Sequence, residues 1–198
     1  MDQDMDKEGV QSMDGIELLA VFTGAASVWL LANNRPLGWW VGLVSVTAFG
    51  WVFFQVSLFA EVAIQGFYFV TSVLAIRLWM RGGPTQSGVP VSSVPFKVVL
   101  FTVPVVVLTT LVAMLFLERI GGAAPFWDAL TTVLSLTAHL WLVRRYAESW
   151  WIWVAVDLIY VPLYFSRGLP LTSALYAVFL LMAIYGLLRF RRELQASS

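Results

Sequence analysis

From residue 16 onward, apolar runs alternate with short polar breaks. The runs cover residues 16–33, 37–55, 58–79, 97–117, 126–143, 149–165 and 171–189. A helix needs about 20 apolar residues to cross a bilayer, so the pattern predicts seven transmembrane helices. Asn33-Asn34-Arg35-Pro36, Gly121 to Pro125 and Arg167-Gly168-Leu169-Pro170 are turn-forming breaks between them. The expected organisation is an exposed tail at 1–15, a first three-helix bundle at 16–81 and a flexible cytoplasmic loop at 82–96. A linker helix at 97–117, a second three-helix bundle at 126–192 and a tail at 193–198 follow. Residues 1–14 are acidic and polar, unlike the basic opening of a signal peptide.

The two three-helix stretches echo each other at an offset of 111 residues. Trp39-Trp40 maps onto Trp150-Trp151, Glu17 onto Asp128, and Arg81 onto Arg192. Matching segment ends and flanking charges, rather than sequence identity, carry this reading. One helix between two triplets restores the starting orientation, so the bundles would be parallel repeats, a transporter design with its site near the midplane. The predicted fold is all-α: seven transmembrane helices as two parallel three-helix bundles joined by a linker helix.

Composition agrees. Among 198 residues, 60% are hydrophobic and 12% charged, and mean hydropathy is +0.81. Soluble domains carry about 25% charged residues, so a soluble enzyme and a disordered chain are both excluded. With no Cys and one His, thiolate and His-cluster metal sites are absent, and no cofactor is expected. Net charge is zero, which offers no basic surface to nucleic acid. The lipid bilayer is the expected environment.

The basic residues are sorted by side. Lys7, Arg119 and Arg167 fall on the side of the amino terminus, and the other nine of the twelve fall opposite. Positive charge marks the cytoplasmic face, so the amino terminus is predicted outside and the carboxyl terminus in the cytoplasm.

Polar residues within the spans form stripes at helical spacing. The third helix carries Glu61, Gln65, Tyr68 and Ser72; the fifth carries Asp128, Thr132, Ser135 and His139; the sixth carries Trp150, Trp153, Asp157, Tyr160 and Tyr164. A carboxylate deep in a span is costly and marks a functional position, or else a hydrogen bond between helices. Trp39, Trp40, Trp150 and Trp151 fit both an interfacial belt and a binding path. Aromatic faces near a carboxylate suit a small ring-bearing molecule, and a cationic ring adds a cation–π attraction.

The run Trp150-Trp151-Ile152-Trp153-Val154-Ala155-Val156-Asp157, continued by Pro162-Leu163-Tyr164, Gly168-Leu169 and Tyr176, resembles the PnuC family of vitamin transporters. Pro36-Leu37-Gly38-Trp39-Trp40 resembles the start of that family's second helix, and Gln65 to Trp79 its third. The resemblance implies a SWEET-like 3+1+3 fold in a bacterial inner membrane. It also implies facilitated diffusion of a vitamin precursor, typically nicotinamide riboside, trapped afterwards by cytoplasmic phosphorylation. Substrate contacts carried over are Trp150, Trp153 and Asp157, then Gln65 and Tyr176; the stripes add Tyr160, Tyr68, Ser135 and His139. Relatives carry thiamine or riboflavin, and some have Asn where Asp157 stands, so the vitamin stays open. SWEET-like proteins can trimerise, which leaves room for a homotrimer.

Other classes fare worse. Proton-coupled transport would use Asp157 or His139 as a relay. A retinal receptor needs a lysine in the last helix, yet the only lysines are Lys7 and Lys97. No Ser–His–Asp arrangement specified by spacing supports an enzyme.

Overall fold

The computed structural model describes residues 2–81, 88–121 and 124–196; for residues 2–14, 59 and 60 it describes the backbone. Its seven α-helices are α1 (Asp2–Ala32), α2 (Leu37–Gln55), α3 (Phe59–Arg81), α4 (Phe96–Arg119), α5 (Pro125–Val143), α6 (Ser149–Ser166) and α7 (Pro170–Ala196). Each contains a stretch long and apolar enough to cross a membrane. The predicted spans hold to within a few residues, except that α1 begins at Asp2 and α7 continues to Ala196. Neither stretch contains a Pro to stop the helix. The residues expected to form an amino-terminal tail are therefore helical in their backbone, and so are residues 193–196.

The chain divides into two units, residues 1–88 and 89–198. In the first, α2 packs on both α1 and α3. Small residues hold α1 close to α2. The Ser27 hydroxyl donates to the Gly38 carbonyl and the Ser45 hydroxyl to the Ala20 carbonyl, each at 2.8 Å. A Cβ on Gly42 would sit 2.8 Å from the Ser27 Oγ, and one on Gly38 would sit 2.7 Å from the Leu31 side chain. Glycine there lets the backbones approach and the hydroxyl bonds form.

In the second unit, α4 packs on α5, α5 on α6 and α6 on α7. Most of α4 is exposed apolar surface: Phe101, Leu108 and Phe116 stand clear of the unit. Such a surface is at home in lipid.

Corners in the two units match at the offset of 111. Asn34 and Arg145 both adopt left-handed backbone, φ 54° and 59°. The amide of Asn34 donates to Leu31 O and that of Arg145 to Leu142 O, both at 2.8 Å. Arg35 N then reaches Leu30 O at 2.9 Å, as Tyr146 N reaches Trp141 O at 3.0 Å. Ser57 and Gly168 repeat the correspondence at the next corner, with φ 60° and 74°. Their amides donate to Phe54 O and Phe165 O, each at 3.1 Å.

Part of the stretch expected to be a flexible loop is tied down. Residues 82–87 lie outside the described residues. From Val89 onward the chain lies against the α5–α6 corner. Ser92 N donates to Arg145 O at 3.2 Å and Ala147 N to Ser92 O at 3.0 Å. The Arg145 guanidinium donates to Val89 O at 2.7 Å, and Val94 N donates to a Glu148 carboxylate oxygen at 2.9 Å. Burial lowers the Arg145 guanidinium from its ordinary value, and the Glu193 carboxylate opposes that shift. Sequence alone reads Gly, Pro and Ser here as flexibility; a left-handed arginine and a glutamate far along the chain supply the anchors.

Candidate functional site

The sixth helix places its stripe along one side. Asp157 is only 4% exposed, mid-way along α6. Within its unit no basic side chain among the described residues forms an ion pair with it; the ion pair found there joins Arg189 to Glu193. A buried charge is normally paired, because leaving water costs several kcal/mol per ion. Trp153, one turn earlier, is half-buried.

One turn beyond Asp157 an aromatic cluster begins. The Tyr160 ring centroid lies 4.6 Å from Tyr176 and 5.3 Å from Tyr164. Tyr164 and Tyr176 stack at 5.1 Å with 15° between their planes, and Phe179 meets Tyr176 edge-on at 5.8 Å. Thr131 on α5, whose hydroxyl donates to Trp127 O at 2.7 Å, lies beside Tyr160, and the Asp157 carboxylate is close enough to act electrostatically on Tyr160 and Tyr176. Helices α6 and α7 thus bring a carboxylate and three phenols together. Pro162 lies in this stretch of α6, where a missing N–H frees the carbonyl four residues earlier.

Trp150, the first residue of that stripe, is turned into the core of its unit. It is 2% exposed, packed edge-on against Phe190 at 5.6 Å and directly over Gly186. Its indole Nε1 is buried without a hydrogen-bond partner, a donor left over for an incoming oxygen. In the first unit Trp39 and Trp79 form the same edge-on pair at 5.5 Å, and they stand 111 residues before Trp150 and Phe190. Trp40 and Trp151 are both about half exposed. Each Trp-Trp dipeptide therefore sends one ring into the core and one outward.

At the matching offset, the first unit lacks the chemistry of the second. Phe49 and Phe53 stack at 5.7 Å where Tyr160 and Tyr164 stand. Val46 stands for Asp157, and Gly42 for Trp153. Gln65 and Tyr68 belong to α3 of that unit and are half-buried. Ser135 is buried on α5, and His139 is half-buried one turn further along. The site stripes missed Thr131, which an i−4 step from Ser135 would have reached, and Phe179, whose position only helix rotation reveals.

A sequence model of the family described as nicotinamide mononucleotide transporter matches residues 14–192. The chain belongs to this family. It is 26% identical over 204 aligned residues to the nicotinamide riboside transporter PnuC of Escherichia coli strain K12, an alignment covering 90% of this chain and 85% of the relative. It is 24% identical over 193 residues to the protein of the same name from Neisseria mucosa, covering 91% and 73%. A crystal structure of the vitamin B3 transporter PnuC matches with a TM-score of 0.70 and 23% identity, covering 92% of this chain and 83% of that one. Membership of the nicotinamide mononucleotide transporter family agrees with the seven apolar helices and with the resemblance carried by Trp150, Trp153 and Asp157. The chain is an all-α, multi-pass membrane protein of a transporter family.

Proposed function

We propose that this chain carries nicotinamide riboside across a bacterial inner membrane by facilitated diffusion, with cytoplasmic phosphorylation trapping the product. The supporting observation is Asp157: a buried carboxylate without a cation from its own unit, one turn from Tyr160 and near Tyr176. Nicotinamide riboside is a pyridinium, so it supplies both the missing positive charge and a flat ring for the phenols. Trp153 adds a further aromatic surface on α6, and the unpaired Trp150 Nε1 a donor for a ribose or amide oxygen.

The family model's description names the mononucleotide and the curated relatives' names the riboside. Asp157 favours the riboside, because a phosphate brought to a buried carboxylate is repelled and must also lose its hydration. Thiamine is a cation with aromatic rings, so it competes on the same ground.

The 3+1+3 arrangement, with α1–α3 and α5–α7 as parallel bundles around α4, is part of this reading. So are an external amino terminus, a cytoplasmic carboxyl terminus and rocking of one bundle against the other. The matched corners and the paired Trp39–Trp79 and Trp150–Phe190 contacts support the repeat. Gln65 and Tyr68 on the first unit, and Ser135 and His139 on the second, are the remaining proposed substrate contacts. Assembly as a homotrimer belongs to the same reading and is checked by the mass of the solubilised protein.

The test is uptake into proteoliposomes of labelled nicotinamide riboside, its mononucleotide, thiamine and riboflavin. Riboside should equilibrate without a gradient, and the mononucleotide should enter far more slowly. Accumulation driven by a pH gradient would replace uniport with proton coupling; no uptake of any of the four would overturn the reading.

A further inference from the structure

The arginines at one end of the second unit divide into two groups. Arg145 is taken up by the Val89 carbonyl and lies near Glu193. Arg189 pairs with Glu193 at 3.5 Å. The acids there are engaged too, since Glu148 accepts from Val94 N. Arg144, Arg191 and Arg192 remain, all exposed and without an ion pair among the described residues.

Arg191 and Arg192 sit at a particular place on α7. Leu181, Ile184, Tyr185 and Leu188 are all exposed and line one face of the helix at spacings of three and four. The two arginines close that face at its carboxyl end. A helix face that is apolar for two turns and then basic faces acyl chains first and headgroups next. The Arg191 guanidinium carbon lies 5.3 Å from the centroid of the Trp151 ring, and Trp151 is about half exposed. The ring holds the guanidinium from one side, and its planar N–H fork is well matched to phosphate oxygens.

We propose that Trp151, Arg191 and Arg192 form a binding site for the phosphate of an intact anionic phospholipid on the second unit. Charge complementarity commits the site to an anionic lipid: among the described residues the acids at this end, Glu148 and Glu193, are already engaged. The first unit supplies the internal contrast. At the same offset it keeps the exposed tryptophan, Trp40, and one arginine, Arg81, but has Met80 in place of Arg191.

Native mass spectrometry of the full-length protein in detergent, titrated with phosphatidylglycerol or with phosphatidylcholine of the same acyl chains, tests this. Wild type should retain phosphatidylglycerol in preference to phosphatidylcholine. The Arg191→Gln/Arg192→Gln double variant should weaken phosphatidylglycerol retention by at least tenfold, from roughly fivefold per arginine near an anionic surface. Arg81→Gln should leave retention within about twofold, and Met80→Arg should add a second retained phosphatidylglycerol beside Trp40. Free glycerol phosphate should not displace the lipid. Equal retention by the double variant and wild type, equal retention of both lipids, displacement by glycerol phosphate, or no gain from Met80→Arg would each overturn the assignment.

Discussion

Trp150 rests on Gly186 with no room between them: a Cβ on Gly186 would come 2.7 Å from the indole Cδ2. Glycine at this point of α7 fixes how closely α6 and α7 approach, and so where the Trp150 ring and its unpaired Nε1 lie. Gly186→Ala should push the indole out of place and cost about 1–3 kcal/mol of stability, the usual penalty for overpacking. A thermal melt of the solubilised protein reads that loss, and riboside binding should weaken with it. Wild-type melting and affinity would show that the helices absorb the methyl without moving the ring.

Asp157→Asn keeps the shape of the site and removes its charge. Nicotinamide riboside binding should weaken by about tenfold, in line with losing an attraction of one to two kcal/mol. The reduced riboside has a neutral ring, so its binding should change much less. Calorimetry on both ligands separates charge from packing; an equal loss for both would assign Asp157 a structural hydrogen bond instead.

Tyr176 bridges the phenols of α6, at 4.6 Å from Tyr160 and 5.1 Å from Tyr164. Tyr176→Ala should cost about 1–3 kcal/mol of ligand binding, the range found for stacking a base on an aromatic ring. Tyr176→Phe keeps the ring and should retain most of the affinity. Similar affinities for Tyr176→Ala and wild type would remove this cluster from the ligand path.

The segment before α4 is fastened through Arg145 and Glu148. Arg145→Ala should release it, so the Ser92 and Ala147 amides, now donating to Arg145 O and Ser92 O, should exchange faster with deuterium. The loss is about 1.5–3 kcal/mol of local protection, as for hydrogen bonds to charged groups. Unchanged exchange would show that the backbone pairing holds without the side chain.

Much of the fold was legible in the sequence. Helix ends at Ala32, Gln55, Val143 and Ser166 fall within one residue of the apolar runs. The reason is local: run length and a turn-forming break decide a span. The site was legible in kind but not in arrangement. Helical spacing found Asp157 and Tyr160 on one helix, yet Trp150 on the same stripe turned into the core, because Gly186 opened a place for it on a neighbouring helix.

By itself, then, the sequence determined seven membrane-length helices, an orientation signal in its basic residues, a carboxylate among aromatics on α6, and an echo of segment ends and flanking charges between residues 17–81 and 128–192. Each follows from side chains and spacings along a single stretch of chain. Tertiary structure decided which stripe residues meet. It stacked Tyr176 of α7 against Tyr160 and Tyr164 of α6, and tied Val89 to Arg145. Those contacts depend on how far helices rotate and how closely small residues let them approach, which no pattern within one helix contains.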